Sequence, residues 1–254
     1  MADAQLSNVT VQFSGSLFRR AALFTALDRV SITLAAGQSH GLVGESGSGK
    51  STLGRVILGL QSVTAGRVMV AGQNLRTLPG TARRTFRRKV QCVFQDSAAT
   101  LDPRMTIGQS VREGLDIHEL GTSDAREEQV RAMLNRVGLP RSLAERYPHE
   151  VSGGQRQRVN IARSLVLEPD ILVADEPVSA LDVSVQAQVL DLLTELRHDM
   201  GLTMLFISHD LMVVREVCDT VSVMQGGVIV ETAATTTLFS RPRHRATQTL
   251  LSAL

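Results

Sequence analysis

The sequence predicts an α/β fold with a parallel sheet, and three observations carry this prediction. Segments rich in Val, Ile and Leu alternate with stretches of helical periodicity. One apolar segment runs directly into a glycine-rich turn, as at the carboxyl ends of parallel strands where ligands bind. The 254 residues are 43% hydrophobic and 20% charged, which is enough for a sizeable core and excludes disordered and fibrous proteins.

Three apolar segments are the candidate parallel strands. Ser39–Val43, residues 171–174 and residues 203–208 are continuously apolar or nearly so, which is typical of strands covered on both faces. Between the last two, five apolar residues recur at helical spacing and predict a crossover helix: Val185, Val189, Leu192, Leu193 and Leu196. Residues 220–224 and 228–230, joined by Gln-Gly-Gly, predict a hairpin near the end.

The middle of the chain has a different character, because strand signals vanish from about residue 97 to residue 152. Asp124 with Glu127 predicts an acidic variant of the capping box at a helix start. One apolar face follows, made of Val130, Met133, Leu134 and Val137. Gly138 is then expected to end the helix. We interpret this stretch as a helical lobe inserted into the α/β core.

Cysteine usage and charge exclude several classes of protein. Cys92 and Cys218 lie in apolar, strand-like runs without metal-ligand spacing, so we expect buried, reduced thiols in a cytosolic chain. No run of 18 apolar residues and no signal-peptide pattern is present. The net charge is only +2, and the basic cluster at residues 83–89 contains a single Phe. A solvated helix face, without nucleic-acid binding, is the favoured interpretation of that cluster.

A glycine-rich loop carries the strongest chemical signal. It follows the first candidate strand and precedes the helical periodicity of Leu53, Val56, Ile57 and Leu60. Its residues are Gly44, Glu45, Ser46, Gly47, Ser48, Gly49, Lys50, Ser51 and Thr52. The backbone N–H groups of such a loop cradle phosphates, Lys50 reaches the β- and γ-phosphates, and the Ser51 hydroxyl ligates Mg²⁺. A glycine-rich turn that binds nothing is the alternative, and the strand-to-helix context argues against it. Lys50 is also one of only two lysines among 27 basic residues, which favours a site that needs a compact ammonium.

Two acidic residues end the second candidate strand. Asp175 and Glu176 follow residues 171–174 directly and precede a proline. At the carboxyl end of a buried parallel strand, Asp175 is suited to hold Mg²⁺ through water and Glu176 to polarise an attacking water. Acidic residues also end strands simply because the turn is solvated. The preceding phosphate loop favours the functional interpretation.

A second anion site is predicted at another helix start, at Ser152, Gly153, Gly154 and Gln155. For an arbitrary protein a simple N-cap would be the better interpretation. Together with the glycine-rich loop and the Asp-Glu strand end, however, this segment resembles the signature of the ATP-binding subunits of ABC transporters. The resemblance extends to three further positions. Gln95 resembles the glutamine that senses Mg²⁺, and residues 179–182, ending in Asp182, resemble the loop that crosses to the opposite subunit. His209 resembles the switch histidine near the γ-phosphate.

The resemblance implies an α/β P-loop NTPase core with a mainly parallel sheet, an N-terminal antiparallel β portion and an inserted α-helical subdomain. Residues 1–95 and 159–231 would form the nucleotide-binding core, residues 96–158 the helical subdomain, and residues 232–254 a short tail. It also implies ATP and Mg²⁺ as cofactors, with catalytic roles for Glu176, His209 and Gln95, and with Ser51, Gln95 and Asp175 at the metal.

The motifs around Gln95, before Ser152 and around Glu176 resemble those of the oligopeptide, dipeptide and nickel importer branch. The implied partners are a second ATPase subunit, identical or paralogous, two transmembrane permease subunits and, indirectly, a substrate-binding protein. The implied location is peripheral, on the cytoplasmic face of the inner membrane. Import of peptides is our first expectation, import of nickel or a metal chelate the alternative, and a soluble ABC ATPase of DNA repair or translation the third.

An aromatic residue ahead of the phosphate loop stacks on adenine in this family. Phe13, Phe18 and Phe24 are the candidates, and each is equally suited to pack in a core. Phe13 follows a strand-like run, which is where the family places the aromatic residue, so we predict that Phe13 stacks on the base.

Overall fold

A computed structural model describes residues 2–13, 23–95 and 100–252. The described residues form two sheets and nine α-helices. The antiparallel sheet has the order β2-β1-β4-β5 and contains β1 (Ala2–Phe13), β2 (Phe24–Ala35), β4 (Ala65–Val70) and β5 (Gln73–Asn74). The N-terminal antiparallel portion predicted from the family resemblance is therefore confirmed.

The second sheet has the order β10-β9-β3-β8-β7-β6 and is parallel except for the β10–β9 pair. Its strands are β3 (Ser39–Val43), β6 (Val90–Val93), β7 (Ile171–Asp175), β8 (Thr203–Ile207), β9 (Thr220–Gln225) and β10 (Val228–Ala234). Every residue of β3 and β8 is buried, as expected for central strands covered on both faces. The three predicted strands and the terminal hairpin are confirmed.

The helices flank this sheet and fill the middle of the chain. They are α1 (Lys50–Ile57), α2 (Gly80–Lys89), α3 (Ile107–Ile117), α4 (Ser123–Arg136), α5 (Gly153–Leu165), α6 (Val183–Met200), α7 (Leu211–Val217), α8 (Thr235–Ser240) and α9 (Arg245–Ser252). Short 3₁₀ turns lie at Arg141–Glu145 and Pro148–Glu150. Helix α6 connects β7 to β8 as predicted, and residues 100–152 contain no strand. No helix of the described residues is long and apolar enough to span a bilayer.

Two hydrophobic clusters lie on opposite faces of the parallel sheet. One is shared with the antiparallel sheet and contains Leu42, Leu53 and Val173. The other is shared with the helical lobe and contains Leu134, Val159 and Phe206. Since one sheet supports both clusters, its carboxyl edge is held rigidly between the antiparallel sheet and the lobe. The predicted domain boundary at residues 158–159 falls inside α5, which belongs to the lobe at its start and packs on β6 at its end.

Three local predictions were wrong. The first turn of α4 is capped by the Thr122 hydroxyl, which accepts from Ala125 N at 3.3 Å. Asp124 and Glu127 do not form the predicted capping box, because Asp124 is the second residue of α4 and not its N-cap; the Glu127 carboxylate pairs with Arg112 at 3.2 Å. Gly138 does follow the helix, with a positive φ of 72°.

The second and third corrections concern apolar runs. Helix α1 ends at Ile57, and Leu60 lies beyond the turn at Gly59 with 57% of its surface exposed.

Cys218 does not lie in a strand but follows α7, because Val213, Val214 and Val217 are buried at helical spacing. Cys92 lies in β6 as predicted. Cys218 is buried as expected, whereas Cys92 is half-buried. Burial raises the pKa of the Cys92 thiol to about 12 and raises that of Cys218 as well, which favours the protonated thiol at both positions.

The basic cluster lies on α2. Phe86 is buried, whereas Arg83, Arg84 and Arg87 are exposed. This is the solvated helix face that the sequence predicts.

Candidate functional site

Four strand ends bring the predicted site residues to one edge of the parallel sheet. The glycine-rich loop follows β3, Gln95 follows β6, Asp175 ends β7 and His209 follows β8. Parallel strands all present their carboxyl ends at the same edge, so residues far apart in sequence meet there. The edge is therefore the candidate functional site.

The glycine-rich loop is shaped by two close backbone approaches. A Cβ at Gly44 would lie 2.1 Å from the carbonyl oxygen of Met224 in β9, and a Cβ at Gly49 would lie 2.6 Å from that of Ala26 in β2. Both glycines also have positive φ, 152° and 107°, which side chains disfavour. The loop is thus fixed by both sheets and leads into α1, whose N-terminus favours an anion.

Lys50 is folded back into this loop. Its ammonium donates hydrogen bonds to the carbonyl oxygens of Gly44 (2.7 Å) and Glu45 (2.8 Å), and the residue is buried. Burial lowers the pKa of the Lys50 ammonium, while the nearby carboxylates of Glu176 and Asp175 act in the opposite direction. The loop therefore presents a positive charge inside a ring of backbone groups, which suits phosphate.

The hydroxyl of Ser48 is a further polar group of the loop. Ser48 is buried, and its Oγ has no hydrogen-bond partner among the described residues. Its carbonyl oxygen accepts from Gly227 N at 3.0 Å. The hairpin between β9 and β10 thus supports the loop from behind.

Ser51 and Asp175 face one another, with Ser51 Oγ 3.5 Å from Asp175 Oδ1. Burial raises the pKa of the Asp175 carboxyl, and the Ser51 hydrogen bond opposes this shift. A hydroxyl and a partly buried carboxylate are oxygen donors of the kind that Mg²⁺ binds beside nucleotide phosphates. The pair fits the predicted metal site.

Glu176 is held between two other predicted residues. Gln95 Nε2 donates to Glu176 Oε2 at 3.0 Å, and His209 Nδ1 donates to Glu176 Oε1 at 3.1 Å. The Glu176 side chain is largely buried and that of His209 largely exposed. Of the three side chains predicted as catalytic, Glu176 therefore contacts both of the others.

The backbone of Glu176 is unusual, with a φ of 48° in the left-handed region. Its N–H donates to the Ile207 carbonyl oxygen at 2.9 Å, and its own carbonyl oxygen accepts from Ser179 N and Ser179 Oγ. A left-handed non-glycine residue at a site is maintained only where its surroundings determine it. Here strand β8 and the turn at Ser179 fix the carboxylate.

A cavity of about 550 Å³ opens at this edge. Its lining consists of Phe24, Ala26, Ser46, Gly47, Gly49, Lys50, Ser51, Thr52, Gln95, Glu176 and His209. Phe24 is 62% exposed and pairs across the β1–β2 ladder with Phe13, which is 40% exposed and does not line the cavity. Phe18 lies outside the described residues. Phe24 is thus the described aromatic side chain next to the loop, and sequence order alone gave no reason to prefer it over Phe13.

The second predicted anion loop lies apart from this cavity. Ser152 is the N-cap of α5 and forms a reciprocal capping box with Gln155: Gln155 N donates to Ser152 Oγ (3.3 Å), and Ser152 N donates to Gln155 Oε1 (3.0 Å). None of residues 152–155 lines the 550 Å³ cavity among the described residues. Asp182, the exposed N-cap of α6, does not line it either.

One contact was not predicted from the sequence. Gln157, in the first half of α5, is buried and its Nε2 donates to the carbonyl oxygen of Pro177 at 2.6 Å. Pro177 directly follows Glu176 in the chain. No local sequence pattern indicates this contact, because it joins two elements that are adjacent only in the folded chain.

Comparison with known proteins identifies the family. Residues 27–179 match the model of the ABC transporter family. A Brucella ovis protein named as a peptide import ATP-binding protein is 54% identical over 235 residues, which are 92% of this chain and 74% of the relative. The oligopeptide transport ATP-binding protein OppF of Streptococcus mutans is 45% identical over 98% of this chain and 80% of its own length.

A solved structure agrees with the sequence relatives. A dimeric ATP-binding cassette in a post-hydrolysis state, bound to ADP and Pi, superimposes with a TM-score of 0.81 and 29% identity over 91% of this chain and 98% of its own. The family model covers more than half of the chain, and it spans the phosphate loop, the capped glycine loop and the Asp-Glu strand end. This chain belongs to the ABC transporter family.

Proposed function

We propose that this chain binds and hydrolyses ATP as the energy-supplying subunit of an importer for di- and oligopeptides. The convergence of Lys50, Glu176, Gln95 and His209 on one cavity, with Asp175 against the cavity residue Ser51, carries the ATPase proposal. The peptide substrate is supported by relatives named for peptide or oligopeptide import. Nickel or metal-chelate import is the alternative within the same branch, and no described residue distinguishes the two.

The phosphate loop performs the binding step. Backbone N–H groups of the loop and the N-terminus of α1 receive the phosphates. Lys50 exchanges its two carbonyl partners for the β- and γ-phosphates, because a charged acceptor binds an ammonium more strongly than a carbonyl does. Phe24 or Phe13 covers one face of the base.

Mg²⁺ accompanies the nucleotide in this proposal. Ser51 and Asp175 would hold the ion, with Gln95 beside them. Its chemistry there would be to neutralise charge on the phosphates and to orient them.

Glu176 acts as the general base on the attacking water, which lies in line with the bond to the leaving phosphate. Before nucleotide binds, the Glu176 carboxylate accepts hydrogen bonds from Gln95 and His209. His209 and Gln95 then turn towards the γ-phosphate, so binding releases the base for its task.

A second ATPase subunit completes the site. The capped loop at residues 152–155 offers backbone N–H groups and the start of α5 to an anion, yet it does not line its own subunit's cavity. Head-to-tail pairing places each such loop on the partner's γ-phosphate, with Asp182 crossing between subunits. The dimeric form of the solved relative bound to ADP and Pi supports this arrangement.

The helical lobe is the proposed docking surface for the permease. It lies between Gln95, which contacts Glu176, and Ser152 at the second anion loop. Exposed residues between 100 and 147 are therefore placed to convert nucleotide state into movement. Charge reversal at these positions should leave ATP hydrolysis intact and abolish transport. Normal transport across a full scan of the lobe would contradict this docking surface.

Purification of the intact membrane complex tests the function as a whole. We expect co-purification with two permease subunits and a second ATPase, identical or paralogous, on the cytoplasmic face of the inner membrane. Uptake of labelled peptides and of ⁶³Ni²⁺ by cells lacking and expressing the chain then separates the two substrates. Recovery of the chain without any permease subunit would contradict the importer assignment and favour an ABC ATPase outside transport.

A further inference from the structure

Gln157 joins the helix that follows the second anion loop to the residue after Glu176. It lies five positions after Ser152 in α5, it is 2% exposed, and its Nε2 donates to the Pro177 carbonyl oxygen at 2.6 Å. A carbonyl oxygen only accepts, so the amide nitrogen must face it. The bond is therefore defined by chemistry as well as by distance.

The surrounding packing makes this contact stiff. A Cβ at Gly154 would lie 2.6 Å from Val185 Cγ1, so the start of α5 packs closely against the first turn of α6. Val178 is buried beside them. Residues 153–157 and 177–185 are thus in contact at two points, and a displacement of one segment displaces the other.

The carboxylate at the other end of this contact is sensitive to backbone position. Glu176 has its φ at 48°, and its backbone is tied to Ile207 on one side and to Ser179 on the other. Pro177 has no N–H, so its carbonyl is the group through which its own backbone can be held. Gln157 supplies that partner from α5.

We propose that Gln157 is a positioning residue through which the anion loop at residues 152–155 sets the orientation of Glu176 in the same chain. The inference rests on the proposed function, in which that loop binds one ATP and Glu176 acts on the other. Gln157 then connects the two nucleotide sites inside one subunit. Closure of Ser152 on the partner's γ-phosphate aligns Glu176 for its own water.

The test uses Gln157→Met, which keeps the length and volume of the side chain and removes the N–H donor. ATP hydrolysis is measured on the full chain in its purified importer complex. We expect kcat to fall about tenfold, because misplacing a base by a fraction of an ångström costs rate. The KM for ATP should stay within about twofold, since Gln157 does not line the nucleotide cavity.

Gln129→Met is the matched control. Gln129 in α4 also donates its Nε2 to a backbone carbonyl of the same region, that of Val166 at the end of α5, at 3.0 Å. The substitution Gln129→Met removes the same kind of hydrogen bond at the C-terminal end of α5, away from the Gln157–Pro177 contact, so kcat should be unchanged while the melting temperature falls. This control separates positioning from stability.

Two results would overturn the inference. A kcat for Gln157→Met within twofold of the wild type would show that Glu176 does not depend on the contact. Equal losses of kcat in Gln129→Met and Gln157→Met would reduce the role of Gln157 to stability. Wild-type protein without ATPase activity would instead contradict the proposed function, so the two failures are distinguishable.

Discussion

The loop before α1 and the loop before α5 are both glycine-containing helix starts, and they differ in what surrounds them. The first encloses a lysine ammonium and faces Asp175, Glu176 and a cavity of about 550 Å³. The second has its hydroxyl and amide engaged in a capping box and borders no such cavity among the described residues. Both helix starts thus have a geometry that suits anion binding, whereas the charged side chains that hydrolysis requires lie at the first loop.

In the proposed function this difference means that the two loops bind different nucleotides. A helix start without a cation offers an anion only its N–H groups and its dipole. These groups can complete a phosphate site that another loop has formed, but they do not form one alone.

The largest effect is expected at the first loop's carboxylate edge. Glu176→Gln keeps the shape of the side chain and its hydrogen bonding while removing the base, so kcat should fall about 100- to 10,000-fold. ATP should remain bound and the dimer should persist, as measured by nucleotide retention and light scattering. An isolated monomer that hydrolyses ATP at the rate of the full complex would contradict the shared site.

Acid should lower the stability of the fold through a buried histidine in β3, the strand that leads into the first loop. His40 in β3 is 5% exposed, its Nε2 lies 2.8 Å from Ser222 Oγ, and burial lowers its pKa to about 4. Between about pH 6.5 and 4 the unfolded chain binds a proton that the folded chain does not, so stability is complete above this window and falls as the pH drops through it. The free energy of unfolding should decrease by about 3 kcal/mol over this range.

Denaturant unfolding at a series of pH values measures this slope. His40→Gln should flatten it, whereas the exposed His149→Gln should leave it as in the wild type. An unchanged slope in His40→Gln would assign the acid sensitivity to other groups.

The second loop can be tested with a substitution that keeps the N-cap of α5 and prevents anion binding. Ser152→Asp retains a good N-cap and places a negative charge where the partner's phosphate would bind. We expect nearly unchanged thermal stability and ATP binding by the isolated chain, with kcat of the assembled complex reduced at least about tenfold.

The matched control removes a cap elsewhere. Thr122→Ala deletes the N-cap of α4, which should cost about 1 kcal/mol of stability and leave kcat unchanged. If Ser152→Asp retained full turnover, the loop would be a structural cap and the comparison between the two helix starts would fail.

The smallest effect is expected at the aromatic side chain that stacks on the adenine of ATP. Because Phe24 lines the cavity and Phe13 does not, Phe24→Ala should raise the Kd for ATP about threefold to tenfold, the value of one aromatic stack. Phe13→Ala, the residue that the sequence favours, provides the direct comparison. Titration with a fluorescent ATP analogue measures both, and a larger effect in Phe13→Ala would restore the sequence-based choice.

Local sequence determined the elements whose physics is short-ranged. Continuous apolar runs specified β3, β7 and β8, and glycines with a following lysine specified the phosphate loop before α1. Ser152 specified the N-cap of α5, which was the alternative to an anion site there, and the structure adds its reciprocal bond with Gln155. In each case the decisive contacts lie within a few residues, so the pattern alone predicts them.

The errors show where a pattern is ambiguous. The run ending in Cys218 is apolar enough for a strand, and only the burial of Val213, Val214 and Val217 reveals helix α7. Thr122 and Asp124 are both acceptable caps, and the helix begins after Thr122, with Asp124 inside its first turn. Tertiary contacts decide between local options of similar free energy.

Residue type and local spacing indicate which side chains have the chemistry to bind phosphate, hold a metal ion or act as a base, so this part of the site is predictable from the sequence. The strand order decided that Gln95 and His209 both contact Glu176. Sheet pairing likewise placed Phe24 rather than Phe13 on the cavity, and helix packing set Gln157 against Pro177. These contacts join residues that are remote in the chain, and only the packing of whole elements brings such residues within hydrogen-bond distance.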